Sequence, residues 1–296
     1  MRVTSLASGS SGNALLVEAG PGRRTRLLVD AGLSGSVLVE RLRQAGTCPA
    51  QLQGVLVTHE HSDHIIGLPV LMKRYAIPVI TAPDTYVAIE QNLAQIIAGE
   101  QFPANGVQGE SIFLQDMLAM PLQPGSRSQV GDIEVISFPV SHDALAPCGY
   151  LLSAGGCRVC IAIDSGEVTP IMLEAMHHAD LLVLESNHDR ERLLRGPYPY
   201  HLKLRILSPT GHLSNDQAAD AILQTWRTDS VRWLWLSHLS RTNNTPKLAL
   251  KSMLARLEAA KANLSQIHVS VLPPGMGSVW DSTQLWESPS LWEMPL

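Results

Sequence analysis

Cysteine is scarce in this chain: four in 296 residues, at Cys48, Cys148, Cys157 and Cys160. So few exclude a disulfide framework and a thiolate metal quartet. Cys157 and Cys160 share C-x-x-C spacing, but they fall in a strand pattern, Cys157 to Ile163, where positions three apart face opposite sides. Small buried hydrophobes are expected there, not a redox pair. Positive charge is not in excess either, at a formal net charge of −5. No global basic field would attract nucleic acid, so a polyanionic substrate would have to be drawn by local charge, bound metal included. No run reaches the length of a membrane span, and Met1 to Val17 carries a Ser/Gly-rich stretch where a signal peptide would have its apolar core. The expectation is a cytoplasmic protein with no membrane partner. Repeats, low-complexity runs and internal linkers are missing, which predicts one domain over 1–277 followed by a Trp/Pro-containing tail over 278–296. Nor is there an aromatic-rich RNA module or a helix-turn-helix, so base-specific readout is not expected.

What is present is histidine, concentrated in Thr58-His59-Glu60-His61-Ser62-Asp63-His64-Ile65-Ile66-Gly67. Three imidazoles and a carboxylate within six positions suit zinc, manganese or iron. The stretch follows Val55-Leu56-Val57, an apolar run with strand character, so its side chains would emerge where a buried strand ends. His59, His61 and Asp63 alternate; extended backbone would present them to one side and send His64 elsewhere. Two neighbouring metal positions fit this better than one. Glu60 and Ser62 are assigned to packing or to hydrogen bonds behind the ligands.

The same arrangement recurs along the chain. Five apolar strands end in candidate ligands: His59 after Val57, His142 after Val140, Asp164 after Ile163, Glu185 after Leu184 and His238 after Leu236. Strand ends lining one edge of packed sheets would bring these side chains together across long sequence separations. Asp30 also ends a strand, Arg26 to Val29, and is expected to orient a neighbouring loop near the site without binding metal. Between strands Val3–Leu6 and Ala14–Glu18 lies the glycine-bearing loop Ser8 to Asn13, either a plain hairpin connection or a rim of backbone N–H groups near the site. Helices are expected at 68–75, 83–98 and 170–177, from a Ser214/Gln217 capping box to about Trp226, and from Thr245-Pro246 to about Lys261. The stretch 99–124 carries no readable chemistry.

Taken together, His59-x-His61-x-Asp63-His64 with the later His142, Asp164 and His238 and the early Asp30 resembles the metallo-β-lactamase superfamily over nearly the whole chain. Ser5 to Asn13, Glu185 to Asp189, Gly211 to Asn215 and Ser237 to Ser240 are similar to its YycJ/WalJ subgroup. The resemblance implies an α/β fold, an αββα sandwich of two mixed β-sheets flanked by helices. It implies His59, His61 and His142 as ligands of one metal, Asp63, His64 and His238 of a second, and Asp164 as a bridge. It also implies a dinuclear metal-dependent hydrolase, a phosphodiesterase or nuclease with 5′-to-3′ exonuclease-like action on DNA. Where lactamases of this fold place cysteine, the chain has Asp164, and where flavodiiron members place glutamate it has His61; the hydrolytic, phosphodiester type remains. The alternatives are a small-molecule phosphodiesterase or ester/lactone hydrolase on the same metal core, and a non-catalytic docking module, which would need a broken ligand set.

Phosphodiesters resist attack because their oxygens repel hydroxide and the leaving alkoxide is poor. Two divalent ions, zinc or manganese with iron as a third option, would lower the pKa of a bridging water to around 7. Two such ions against two aspartates and a hydroxide leave a shell of about +1, which suits an anionic substrate. Asp63 is then both ligand and part of the catalytic set. His212 is the candidate for phosphate binding or for protonation of the leaving oxygen, because it precedes the Ser214 helix start where an anion would meet free N–H groups. His188 is a second catalytic candidate. Lys203, Arg205 and Ser214 are candidate substrate contacts. Oligomeric state is not legible. The tail, where Leu285-Trp286-Glu287-Ser288-Pro289 is nearly echoed by Leu291-Trp292-Glu293-Met294-Pro295, is expected to pack on its own domain or to dock on a partner chain.

Overall fold

The structure, a computed structural model, describes residues 1–99 and 119–285. Two seven-stranded mixed sheets pack face to face with helices outside. The strands are β1 (Arg2–Ala7), β2 (Ala14–Ala19), β3 (Thr25–Val29), β4 (Gly54–Leu56), β5 (Val79–Thr81), β6 (Ala119–Pro121), β7 (Arg127–Val130), β8 (Ile133–Pro139), β9 (Cys148–Ala154), β10 (Cys157–Ala162), β11 (Leu181–Glu185), β12 (Arg232–Ser237), β13 (Ile267–Val271) and β14 (Val279–Asp281). The first sheet runs β14-β1-β2-β3-β4-β5-β6 and the second β13-β12-β11-β10-β9-β8-β7. In each, one half is antiparallel and the other parallel. The expected αββα sandwich is therefore what the chain forms.

The burial pattern of the strands explains the layering. In β11, Leu181, Leu182, Val183 and Leu184 are all buried, as a parallel strand covered on both faces must be. Val183 joins the core between the sheets, with Val17, Leu27, Tyr150 and Ile161, while Leu182 and Leu184 join the outer one. That outer core is capped by α5 (Pro170–His177), α8 (Asn215–Gln224) and α9 (Pro246–Ala259), whose Ala249, Met253 and Leu257 recur every fourth residue. The first sheet is covered by α1 (Gly35–Gln44), α3 (Leu68–Tyr75) and α4 (Pro83–Gly99). Three short helices, α2 (Ser62–Ile65), α6 (Arg190–Arg195) and α7 (Tyr200–Ile206), lie in connections. Cys157 and Cys160 are buried in different cores, and all four cysteines are free.

The boundary expected at residue 277 does not coincide with the edge of the sandwich. Val279–Asp281 forms β14 against β1, and Trp280 is buried between the sheets, its ring 6.2 Å from that of Trp233. The remainder of the expected tail from residue 286 on lies outside the described residues, as does most of the stretch 99–124. No helix among the described residues is long and apolar enough to cross a membrane.

Candidate metal centre

Five of the site side chains issue from strand ends on one edge of the sandwich: His59 beyond β4, His142 beyond β8, Asp164 beyond β10, Glu185 at the end of β11 and His238 directly after β12. Three residues there turn left-handed without being glycine, Asp30 (φ 59°), Asp164 (φ 55°) and His238 (φ 52°), each just past its strand. Such conformations persist only where surrounding contacts hold them, and they aim these side chains off the line of the sheet. The motif itself departs from the extended path expected for it. After His61 the chain enters the helical turn α2, so Asp63 does not share a side with His59 and His61. Instead Asp63 joins His64 and His238, while His59 and His61 join His142. A helical turn rotates successive side chains by about 100°, not 180°, and this is what divides the motif between two groups.

Within each group the potential ligand atoms lie within 4.8 Å of one another. His59 Nε2 and His142 Nε2 approach His61 Nδ1 at 3.1 and 3.3 Å. Asp63 Oδ2 lies 3.6 Å from His64 Nε2 and 3.5 Å from His238 Nε2. Asp164 sits between them: Oδ2 is 2.8 Å from His64 Nε2 and 3.9 Å from His59 Nε2, and Oδ1 is 2.8 Å from His238 Nδ1. Although these nitrogens are close, neither oxygen of this buried carboxylate receives a hydrogen bond of proper geometry, and His238 Nε2 has none either. Buried polar atoms without partners are rare in folded proteins, and an all N/O donor set around them fits divalent cations.

Contacts behind the donors select their orientation. His64 Nδ1 lies 2.8 Å from Asp30 Oδ2, and Asp30 Oδ1 accepts from Thr58 N at 2.8 Å. His142 Nδ1 donates to Gly211 O at 3.0 Å, and His238 Nδ1 lies 3.0 Å from Glu185 Oε1. With Nδ1 engaged, Nε2 is where each ring presents its lone pair once neutral, as a metal-ligating imidazole requires. Glu60 accepts from Leu145 N. The loop Ser8 to Asn13 does reach the site, but through side chains: Ser8 Oγ accepts from His238 N at 2.9 Å, and Asn13 Nδ2 lies 3.1 Å from His64 Nε2.

Electrostatics follow from this crowding of buried charge. Burial raises carboxyl pKa values, yet His238 and His64 hold Asp164 well below the usual range, and His64 with His238 holds Asp63 at about 2. Burial opposes charge on His64 and His238, but the carboxylates around each hold both well above the ordinary value. His59, dominated by burial and by charged His64, is pushed well below it. Protons on imidazoles thus balance the carboxylates, the role that cations take over in a metal site.

The remaining candidates divide sharply. His212 is brought in: its ring centroid lies 5.1 Å from His142 and 5.4 Å from His238, and Nδ1 is 2.7 Å from Glu185 Oε1. Burial disfavours its charge, but Glu185 and Asp164 raise it to about 9. His188 is buried next to Glu185 with neither ring nitrogen hydrogen-bonded, and burial lowers it to about 4; it belongs to neither group of donors. Ser214 does not offer its hydroxyl to the site. It donates to Gln217 Oε1 and accepts from Gln217 N, closing the capping box on α8. Lys203 donates to Leu194 O, whereas Arg205 pairs with exposed Asp143, itself 3.4 Å from His142 Nε2. Glu185 had no assigned role beyond its place at a strand end. Its Oε1 holds His212 and His238, and its Oε2 accepts from Ser165 N and Leu213 N.

Comparison with known proteins gives concordant results. The sequence model of the Beta-lactamase superfamily domain matches residues 25–234. The chain is 40% identical to exodeoxyribonuclease YycJ of Bacillus anthracis, over 86% of this chain and 88% of that protein. It is 36% identical to exodeoxyribonuclease WalJ of Streptococcus pneumoniae, over 86% and 87% respectively. In fold it is similar to the metallo-β-lactamase fold protein YhfI from Bacillus subtilis, with a TM-score of 0.66 and 17% identity over 95% of this chain and 99% of that one.

Proposed function

The chain belongs to the metallo-β-lactamase superfamily, within its YycJ/WalJ group, and from that premise we propose a dinuclear metal-dependent phosphodiesterase that degrades DNA from the 5′ end. The observation that carries this reading is Asp164, a buried carboxylate without hydrogen bonds set between the two groups of donors. His59, His61 and His142 would hold one cation, Asp63, His64 and His238 the other, and Asp164 both. Bound there, two divalent ions would supply Lewis acidity and a water made nucleophilic near neutral pH. Zinc and manganese both suit the donors, and iron is a third option.

The chain's own residues supply the rest. His212, with Nδ1 held by Glu185, keeps a proton at Nε2 for the departing alkoxide. Glu185 acts through His212 and His238 by fixing their rings. Arg205, exposed beside the histidines and tethered to Asp143, is placed to exchange that carboxylate for a backbone phosphate of DNA. Lys203 and Ser214 act in the α6–α8 segment that carries His212, not as phosphate contacts. The DNA reading is favoured over a small diester or an ester by the names of the two exodeoxyribonucleases that match over 86% of this chain.

The test uses metal-reconstituted protein and a 5′-labelled oligonucleotide. Early appearance of labelled mononucleotide, with two metal ions per chain by elemental analysis, is the expected result. A ladder of longer labelled products would overturn degradation from the 5′ end; turnover of a chromogenic diester with no cleavage of DNA would assign the enzyme to small molecules. One metal per chain at saturation would remove the dinuclear reading.

A further inference from the structure

Asn13, at the end of the β1–β2 loop, is held more tightly than a hairpin connection requires. Gly9 N donates to Asn13 Oδ1 at 2.9 Å, and since only the oxygen can accept, the amide orientation is determined. Its backbone is pinned on both sides: Asn13 N donates to Asp63 O, and Gly32 N donates to Asn13 O, each at 2.9 Å. Gly12 makes the approach possible, because a Cβ there would meet Gly32 O at 2.1 Å. The side chain, on a residue only 3% exposed, has one group left to use: Nδ2, 3.1 Å from His64 Nε2.

That nitrogen is the one His64 turns toward the metal centre, its Nδ1 being engaged by Asp30 at 2.8 Å. Protonated between Asp30 and Asp164, or bound to a cation, that nitrogen has no lone pair with which to accept from the amide. With a metal held at His64 Nε2, the Asn13 amide would have no acceptor there, while Gly9, Asp63 and Gly32 keep it in place. A buried donor without a partner is unfavourable, and a fixed donor at a reaction centre is most effective where negative charge develops. The anionic acceptors that phosphodiester hydrolysis brings to this centre are the non-bridging oxygens of the scissile phosphate.

We propose that Asn13 is a substrate-contacting residue, its Nδ2–H donating to a non-bridging phosphoryl oxygen beside His64. The inference rests on the phosphodiesterase reading above. The competing role is support of a ligand, and metal content separates the two, because an amide that supported a ligand would weaken metal binding when removed.

The experiment compares wild type, Asn13→Ala and Asn13→Ser after metal reconstitution, measuring metal content, melting temperature and binding of deoxyadenosine 5′-monophosphate by calorimetry. Asn13→Ala should retain the wild-type metal content and raise the dissociation constant for the nucleotide by roughly 10–100-fold, the effect of one charge-assisted hydrogen bond. Should Asn13→Ala unfold, Asn13→Ser, whose hydroxyl can accept a hydrogen bond without bringing a charge to the site, gives the same reading. Unchanged nucleotide affinity in the folded variant overturns the inference, and so does a drop in its metal content, which would make Asn13 a support for Asp63 and His64. Wild-type protein that neither binds the nucleotide nor cleaves DNA would instead defeat the phosphodiesterase reading and this inference with it.

Discussion

Among single residues, the histidines of the site are sorted by what each Nδ1 meets. Asp30, the Gly211 carbonyl and Glu185 take the Nδ1 protons of His64, His142 and His238, so a neutral ring at each position presents its lone pair at Nε2. His212 has the same partner as His238 and groups with Asp164, Glu185 and His238 instead of with either triad of donors. His212→Ala should lower kcat on DNA by about 10²–10⁴ with metal content intact. A diester with a very good leaving group should be far less affected; equal losses on both substrates would mean that His212 binds phosphate instead. Glu185→Gln removes charge but little volume, and should weaken metal binding by about 10–100-fold, as loss of a partner behind a ligand does. Unaltered metal affinity, measured by competition with a chelator, would refute that. The side chains that gather at the site were legible in the sequence because H-x-H-x-D-H and residues at strand ends show in one dimension. Glu185 was visible as one of five such endings, yet its role was not, because its partners Ser165, Leu213 and His238 are joined to it only by folding.

Short elements then decide how the motif is divided. The turn α2 separates Asp63 and His64 from His59 and His61, and its backbone is stitched to the loops after β1 and β3 through Asp63 O and His64 O. Gly32 is the tightest point of that seam, since a Cβ there would sit 1.6 Å from Asp63 O. Gly32→Ala must therefore displace backbone, and is expected to destabilise by at least about 1–3 kcal/mol while disturbing the site of Asp63, His64 and His238. A melting temperature and metal content equal to wild type would contradict this. Regular elements with strong patterning, such as 68–75 and the α8 capping box, were readable in advance. The pieces that were not are edge strands: β7 alternates exposed and partly buried polar residues, and β14 has three residues. Neither carries an apolar run; each is held by its neighbour. Even so, β14 brings in Trp280, 1% exposed, and Trp280→Ala should cost about 3–5 kcal/mol without removing any donor of the site. Loss of metal in that variant, if it folds, would place the edge of the sandwich in direct support of the centre.

For the molecule as a whole, two half-parallel sheets place buried carboxylates and imidazoles at one edge, which links its stability to protons and metal together. In metal-free protein Glu185 is held at about 2 against 4.5, so its contribution is complete above about pH 4.5 and is lost as pH falls toward 2. His212 is raised to about 9 from 6.5; its contribution is complete below about pH 6.5 and is lost as pH rises through 9. Raised His64 and His238 act in the same sense as His212. His59, His142 and His188, lowered by burial, act in the opposite sense and lose their contribution as pH falls below about 6.5, so the melting temperature of metal-free protein should peak near pH 6.5 and fall on both sides. Metal binding reverses the second limb, because coordination requires the unprotonated nitrogens that acid removes. At 100-fold excess over its dissociation constant a bound ion stabilises by about 2.7 kcal/mol, and that dissociation constant improves as pH rises. The difference in melting temperature between metal-loaded and chelator-treated protein should accordingly be larger at pH 8 than at pH 6. A difference that is constant, or larger at pH 6, would mean that the cations do not replace protons on these imidazoles, and would remove the histidines from the metal centre.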